Sequence, residues 1–305
     1  GVLVPNGLIY GIPAASTSVL IYDPNADTVD TTTISGLSSG YLKWGTPQIV
    51  EDIIYAVPLS KGTILKINTT SNTADETSIA AGASGPTKWF SSVLADNNKI
   101  YGVPYSTTTV LIFDVATETV DLSSITGVGS GESGLPLWLG GAQANDGRIF
   151  CAPSAANGVL IIDPATDTVD ETSIIPSATE TNKWGGMVLG PNGLLYGVPY
   201  GETTLLIIDP TTDTADTTSV TGLPSNGLKA YSSVFANGLY VISIPFSSGH
   251  VLGIDISSHH VQAVYEDFLD GHGKYMGGVL ANNGLVYGIP NSADHMLVID
   301  THTAA

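Results

Sequence analysis

One proline recurs seven times along this chain, at Pro13, Pro58, Pro104, Pro153, Pro199, Pro245 and Pro290, with successive gaps of 45, 46, 49, 46, 46 and 45 residues. Each closes a short apolar run, as in Ile9-Tyr10-Gly11-Ile12-Pro13, Ile100-Tyr101-Gly102-Val103-Pro104 and Val286-Tyr287-Gly288-Ile289-Pro290. Self-similarity at a fixed period of this length marks a repeat architecture. The repeat runs through all 305 residues, which argues for one unit rather than two ordinary domains.

The fifth copy shows what one repeat contains. Gly186-Met187-Val188-Leu189 reads as a strand, and Pro191-Asn192-Gly193 as a tight turn with a glycine free to take positive φ. Leu194 to Pro199 is a second strand, ended by a proline that cannot donate to the next rung. Leu205 to Asp209 is a third. After the turn Pro210-Thr211-Thr212-Asp213, a fourth is expected over Thr214 to Val220. The inner three are apolar on nearly every residue, so both faces of the sheet must be covered, whereas the fourth carries the Asp and Thr of a solvated edge.

The expected fold is therefore all-β: a seven-bladed β-propeller of four-stranded antiparallel blades forming one domain over 1–305. The blades fall at about 1–40, 41–85, 86–134, 135–180, 181–226, 227–271 and 272–305. First and third strands occur seven times, the fourth only six, so the seventh blade lacks its outer strand. Its third strand, Met296 to Asp300, would present an open edge that invites strand addition. That strand is expected to come from residues outside this chain in cis or from a neighbouring subunit in a self-assembly, or the edge is left bare.

Two phrases carry a family resemblance. Gly-Val-Leu-Val-Pro-Asn-Gly-Leu-Ile-Tyr-Gly at the start of the chain resembles the strand–turn–strand core of NHL-type propellers. The run Val159 to Val169 is similar to the hallmark of YVTN-type repeats. The likeness recurs in all seven copies. It implies a propeller and little about activity, since those families include lyases, lactonases, scaffolds and adhesive modules. Calcium-dependent lactonases of the related group place carboxylates and Asn in the central channel, and the first strands here carry none.

Charge narrows the partners. With 28 acidic against 9 basic residues the chain is strongly anionic, which disfavours nucleic acid and anionic membranes. No apolar run reaches the length of a membrane-spanning helix. The acidity suits solubility in a salty or extracellular setting, and a secreted location is expected. The chain opens at Gly1 inside a strand, as a processed chain or an excerpt would. Cys151 replaces the glycine of the Tyr-Gly-Ile-Pro motif and reads as a small buried residue. Asn68-Thr69-Thr70 is a sequon, relevant only to a eukaryotic secreted protein.

Chain direction puts the Pro-Asn-Gly and Asp-Pro-Ala-Thr-Asp turns on one face. The loops after each proline and the variable inter-blade connections lie on the other, where binding sites are commonly built. One repeat position on that face holds Lys43-Trp44, Lys88-Trp89, Leu137-Trp138, Lys183-Trp184, Lys229-Ala230-Tyr231 and Lys274-Tyr275, which include all four tryptophans and five of the nine basic residues. A ring of cations and aromatics suits an anionic or sugar-like ligand. The alternative is structural: Trp seals the blade interface and Lys pairs with a carboxylate next door.

All six histidines lie after residue 249. His250 and His295 sit five residues past their prolines, and His272 just before Lys274, a set open to a metal or acid–base role or to scattered surface use. Equivalent positions on adjacent blades lie roughly 10 Å apart, which disfavours joint coordination. On the opposite face Asp23, Asp27 and Asp30 recur as Asp163, Asp167, Asp170 and as Asp209, Asp213, Asp216, with Asp114, Glu118, Asp121 as a variant. Such clusters suit Ca²⁺, but no glycine follows as in calcium loops, and Asp also caps hairpin turns.

There is no Gly-x-Ser-x-Gly, no His-Glu-x-x-His and no phosphate loop, and no catalytic residue, metal ligand or cofactor is assigned. The sequence favours a non-catalytic binding module, acting through the loop-rich face on a protein or carbohydrate partner, within a larger assembly. The rivals are a metal-dependent lyase or lactonase using the histidines of blades 6 and 7, and a lectin-like use of the Trp/Tyr ring.

Overall fold

The computed structural model describes residues 1–83, 85–129, 135–178, 180–220, 223, 230–265 and 273–301. Among them are 27 strands and no helix. They form seven antiparallel sheets, each with its strands in sequence order, six of four strands and the last of three. The chain is a seven-bladed β-propeller.

Two compact units make up the chain: residues 1–134 with 281–283, and residues 135–280 with 284–305. The first carries blades 1 to 3 and the second carries blades 4 to 7. Blade 5 represents them: Trp184–Leu189, Leu195–Pro199, Leu206–Asp209 and Thr214–Asp216. In blades 2 to 7 the proline of the repeat sets the register, because it pairs with the first residue of the inner strand. Trp44 faces Pro58, Trp89 faces Pro104, Trp138 faces Pro153 and Trp184 faces Pro199.

The outer strand is shorter than its sequence pattern suggests, ending at Asp216 rather than Val220. The Asp216 carboxylate accepts the N–H groups of Thr218 and Ser219 and both their hydroxyls, which bends the chain out of the ladder. Asp30, Asp75, Asp121 and Asp170 each accept the backbone N–H groups two and three residues on in the same way.

Blades within each unit join through apolar clusters. Trp44 packs with Tyr10, Val19 and Ile34 of blade 1, Trp89 with Tyr55 and Ile64 of blade 2, and Trp184 with Phe150 and Val159 of blade 4. Inner strands approach so closely that glycine is required after Trp44 and after Trp184. A Cβ at Gly45 would lie 2.3 Å from the Phe90 carbonyl oxygen, and one at Gly185 would lie 2.4 Å from that of Ala230. Cys151 is fully buried, and burial pushes its thiol far above the ordinary range, as expected of an inert packing residue.

The seventh blade consists of Tyr275–Leu280, Val286–Pro290 and Leu297–Ile299. Among the described residues no strand flanks its third strand on the outer side.

Candidate functional site

The short-turn face is built by side chains that hold the hairpins. Asp23, Asp114, Asp163 and Asp209 accept backbone N–H groups two or three residues on. Asp27, Glu118, Asp167 and Asp213 occupy the left-handed position of the same turn, with φ of 51° to 52°. His259 takes this position in blade 6, which accounts for one of the clustered histidines as a turn residue. Several of these turn residues also latch neighbouring blades. Tyr10 donates to Asn72, Tyr55 to Glu118, and Arg148 to Asp213. Most carboxylates of the Asp pattern thus serve their own turn or a latch. Among the described residues no group of three or more His, Cys, Asp or Glu side chains is arranged to hold a metal ion.

On the loop-rich face the Lys–Trp position follows one rule through blades 2, 3 and 5, with Leu137 in place of Lys in blade 4. The tryptophans are at most 4% exposed. The indole N–H donates to the carbonyl five residues past the proline: Trp44 to Thr63, Trp89 to Thr109, Trp138 to Gly158 and Trp184 to Thr204. The lysines beside them are buried too. The Lys43 ammonium donates to the carbonyls of Ser16 and Ser38, and that of Lys88 to those of Leu59 and Gly85. Lys274 donates to the Ser248 carbonyl, and Lys183 is likewise buried.

The acceptors of Lys43 and Lys88 are loop carbonyls, not the neighbouring carboxylates expected from sequence. Loops crowd several carbonyl oxygens at one point, and a buried ammonium can donate three times. Burial lowers the pKa of Lys43 and Lys88. The Lys backbone joins in: the N–H groups of Lys43, Lys88, Lys183 and Lys274 donate to the residue after the proline of the preceding blade, respectively Ala14, Leu59, Ser154 and Phe246.

Blades 6 and 7 depart from the rule. In blade 6 it is Ala230 that faces Pro245, so Ala230 and not Tyr231 holds the tryptophan register. A one-residue step reverses the side chain across the sheet. Tyr231 therefore turns away and stacks on Tyr200, with ring centroids 4.5 Å apart and hydroxyls at 2.8 Å. Phe246 meets Tyr231 edge-on at 4.1 Å. Tyr231 and Phe246 are half-buried and Tyr200 is buried. This triad escaped sequence reasoning, although aromatics directly after the proline at Tyr105, Tyr200 and Phe246 were its visible signal.

His250, at the position whose carbonyl accepts the indole elsewhere, has a buried Nδ1 with no hydrogen-bond partner. In blade 7 Tyr275 keeps the tryptophan register against Pro290 and is buried. Its hydroxyl meets Nε2 of His295 at 2.9 Å, and His295 Nδ1–H donates to Asp294 at 2.7 Å. That bond, followed by a backbone hydrogen bond from Asp294 itself, holds the Asp294 carboxyl below its usual range. Burial followed by the Asp294 charge raises the Tyr275 phenol. Lys229 and His272 lie outside the described residues.

No protein-family model matches the chain, and no curated protein matches its sequence. Solved structures do match. A streptogramin B lyase aligns over 95% of this chain and 89% of its own, with a TM-score of 0.70 and 11% identity. The virginiamycin B lyase of Staphylococcus aureus aligns over 85% and 81%, with a TM-score of 0.67 and 9% identity. The extracellular domain of a one-component system from Bacteroides thetaiotaomicron aligns over 96% of this chain but 37% of that one, with a TM-score of 0.69 and 10% identity. At such identities the likeness is one of fold. Its members include enzymes and extracellular domains alike. No helix among the described residues is long and apolar enough to cross a membrane.

Proposed function

We propose that this propeller is a non-catalytic, extracellular binding module whose ligand engages the loop-rich face of blades 5 to 7, and that the ligand is a carbohydrate or another ring-bearing molecule. The observation that carries this reading is the break in the Trp–carbonyl rule at Ala230. It frees Tyr231 to form, with Tyr200 and Phe246, a partly exposed aromatic surface. Stacked aromatic faces with a hydroxyl at the rim suit sugar rings, which present apolar faces and polar edges. In this reading the buried lysines and tryptophans frame the face, and the ligand meets Tyr231, Phe246 and His250.

The extracellular assignment draws on the likeness to extracellular domains and on the acidic surface. A glycan array followed by titration of the purified protein tests the reading. Tyr231→Ala is expected to abolish binding while lowering thermal stability only by the loss of its stacking contacts, and Tyr231→Phe to retain most of both. Equal binding by Tyr231→Ala, or none to any glycan by the parent, counts against it.

A second reading, an enzyme of the lyase kind, is favoured by one observation. The Tyr275–His295–Asp294 chain is a hydrogen-bonded path for a proton, and His295 is 62% exposed at its open end. Streptogramin B lyase shares the fold. Turnover of a lyase substrate that disappears in His295→Ala, together with a divalent ion in the purified protein, would favour this second reading over the first.

A further inference from the structure

Blade 3 carries an aromatic pair at the two repeat positions that Tyr231 and Phe246 occupy in blade 6. Trp89 faces Pro104 and Ser91 faces Val103, so Phe90 is the extra residue of a bulge, as Tyr231 is between Ala230 and Ser232. Tyr105 directly follows its proline, as Phe246 does. Blades 2, 4, 5 and 7 place Gly45, Leu139, Gly185 and Met276 at the position of Phe90. The Phe90 and Tyr105 ring centroids lie 5.6 Å apart with planes inclined at 33°, and both residues are half-buried.

Both rings stand on fixed main chain. The Tyr105 N–H donates to the Lys88 carbonyl at 2.8 Å and the Ser106 N–H to that of Thr87 at 3.2 Å, which carries the pairing past the proline. The Phe90 carbonyl oxygen lies so close to blade 2 that a Cβ at Gly45 would meet it at 2.3 Å. Rings held in this way lose little freedom when a ligand settles on them.

The polar groups beside the pair are of one kind. The Ser106 hydroxyl donates to the Thr87 carbonyl at 2.6 Å, so in its 2.9 Å contact with the Thr87 hydroxyl the donor is Thr87. Both hydroxyl hydrogens are thereby committed, and lone pairs remain for a ligand. Thr87 has a φ of 52°, a strained value for a β-branched residue. Leu42 and Gly273 are left-handed at the same repeat position, so the turn demands it. Glycine meets that demand without strain, whereas threonine adds a hydroxyl. Lys88, the adjacent cation, is buried and donates to the carbonyls of Leu59 and Gly85.

We propose that Phe90 and Tyr105 form a second carbohydrate subsite, and that it takes an uncharged pyranose. The apolar face of the sugar lies on the two rings, and its hydroxyls or an acetamido N–H donate to Thr87 and Ser106. A uronic or sialic acid is disfavoured, because its carboxylate would meet acceptors in a strongly anionic protein. This inference rests on the carbohydrate reading of the Tyr231 surface, to which it adds a second place of binding and a neutral ligand class.

The probes are cellotriose, chitotriose and mannotriose, with trigalacturonic acid as the anionic control. Each is titrated into the full chain while the backbone amide resonances of Phe90, Tyr105, Tyr231 and Phe246 are followed by NMR. At least one neutral sugar is expected to shift the Phe90 and Tyr105 signals saturably below about 10 mM, and the anionic control to leave them in place. Phe90→Leu keeps an apolar side chain without a ring face, and Tyr105→Ala removes the other ring. Each should weaken binding read at the remaining aromatic at least about tenfold, with the Tyr231 titration unchanged.

Three results overturn the proposal: no shift at Phe90 and Tyr105 with any neutral sugar, parent-like binding at Tyr105 in a folded Phe90→Leu variant, or trigalacturonic acid binding there as tightly as the neutral sugars. The two readings fail separately. Saturable shifts at Phe90 with none at Tyr231 overturn the blade 5 and 6 surface and uphold this subsite, and the reverse pattern overturns this subsite alone.

Discussion

The Tyr275 hydroxyl lies 2.9 Å from Nε2 of His295, at the place where four other blades bond an indole N–H to a backbone carbonyl. The donor and the acceptor have both changed, and the bond has survived as a side-chain pair. A backbone carbonyl is fixed and neutral, but an imidazole can exchange a proton. Blade 7 therefore holds its inner strand by a pair of side chains rather than by a backbone acceptor. Tyr275→Phe should lower stability by about 0.5–1.5 kcal/mol, the net worth of one such bond, in denaturant melts. A loss no larger in His295→Ala than in an exposed histidine variant such as His260→Ala would show that the pair contributes nothing.

Trp184 should be the costlier position. Its indole is fully buried against blade 4 and donates to Thr204 at 2.9 Å. Trp184→Ala is expected to destabilise by roughly 3–5 kcal/mol through the cavity it leaves. Trp184→Phe retains much of the packing and strands the Thr204 carbonyl, so about 1–3 kcal/mol is expected. Chemical denaturation of both variants separates the two contributions.

Gly185 tests how tightly adjacent inner strands approach. An added Cβ would meet the Ala230 carbonyl oxygen at 2.4 Å, a backbone atom that cannot rotate away. Gly185→Ala should cost about 1–3 kcal/mol by overpacking. Gly62→Ala, where an added Cβ meets nothing within 4 Å, is the control and should be near neutral in the same melts.

The Asp turns predict an acid limb. The hydroxyl of Ser173 and then the Thr172 N–H bring the Asp170 carboxyl down to about 2, and the hydroxyl of Ser219 is the largest stabiliser of Asp216, also at about 2. The same hydrogen bonds hold Asp30, Asp75 and Asp121 still lower. A depressed folded-state value means the unfolded chain binds the proton more tightly. The stabilisation is therefore complete above the unfolded carboxyl value near 4 and is lost as pH falls toward about 2. The contribution of these carboxylates to the unfolding temperature should be constant from about pH 5 to 7 and fall below about pH 4. Ser173→Ala should make that fall shallower, readable by calorimetry across the pH series.

Much of this was written in local sequence. Pro58, Pro104, Pro153 and Pro199 marked the register of their blades because a proline ends a ladder wherever it falls, and Asp163 and Asp209 capped their turns through neighbours two or three residues away. The end of the fourth strand was also decidable in principle, since Asp216-x-Thr218-Ser219 is a bending signal. The site was less legible. Lys229-Ala230-Tyr231 resembles Lys-Trp with one residue inserted, and only the pairing of Ala230 with Pro245 shows that Tyr231 points the other way.

The sequence alone determined seven repeats, strands in order within each blade, the chemistry of their turns and an outer strand present six times. These depend on alternation, turn residues and apolar runs that act over a few positions. Tertiary structure alone decided that Lys43 is buried among carbonyls 27 and 5 residues away, that Trp184 bonds 20 residues ahead, and that Tyr200 stacks on a tyrosine 31 residues on. A buried polar group must find its partner wherever packing places one, and no pattern local to the lysine or the indole states which carbonyl that will be.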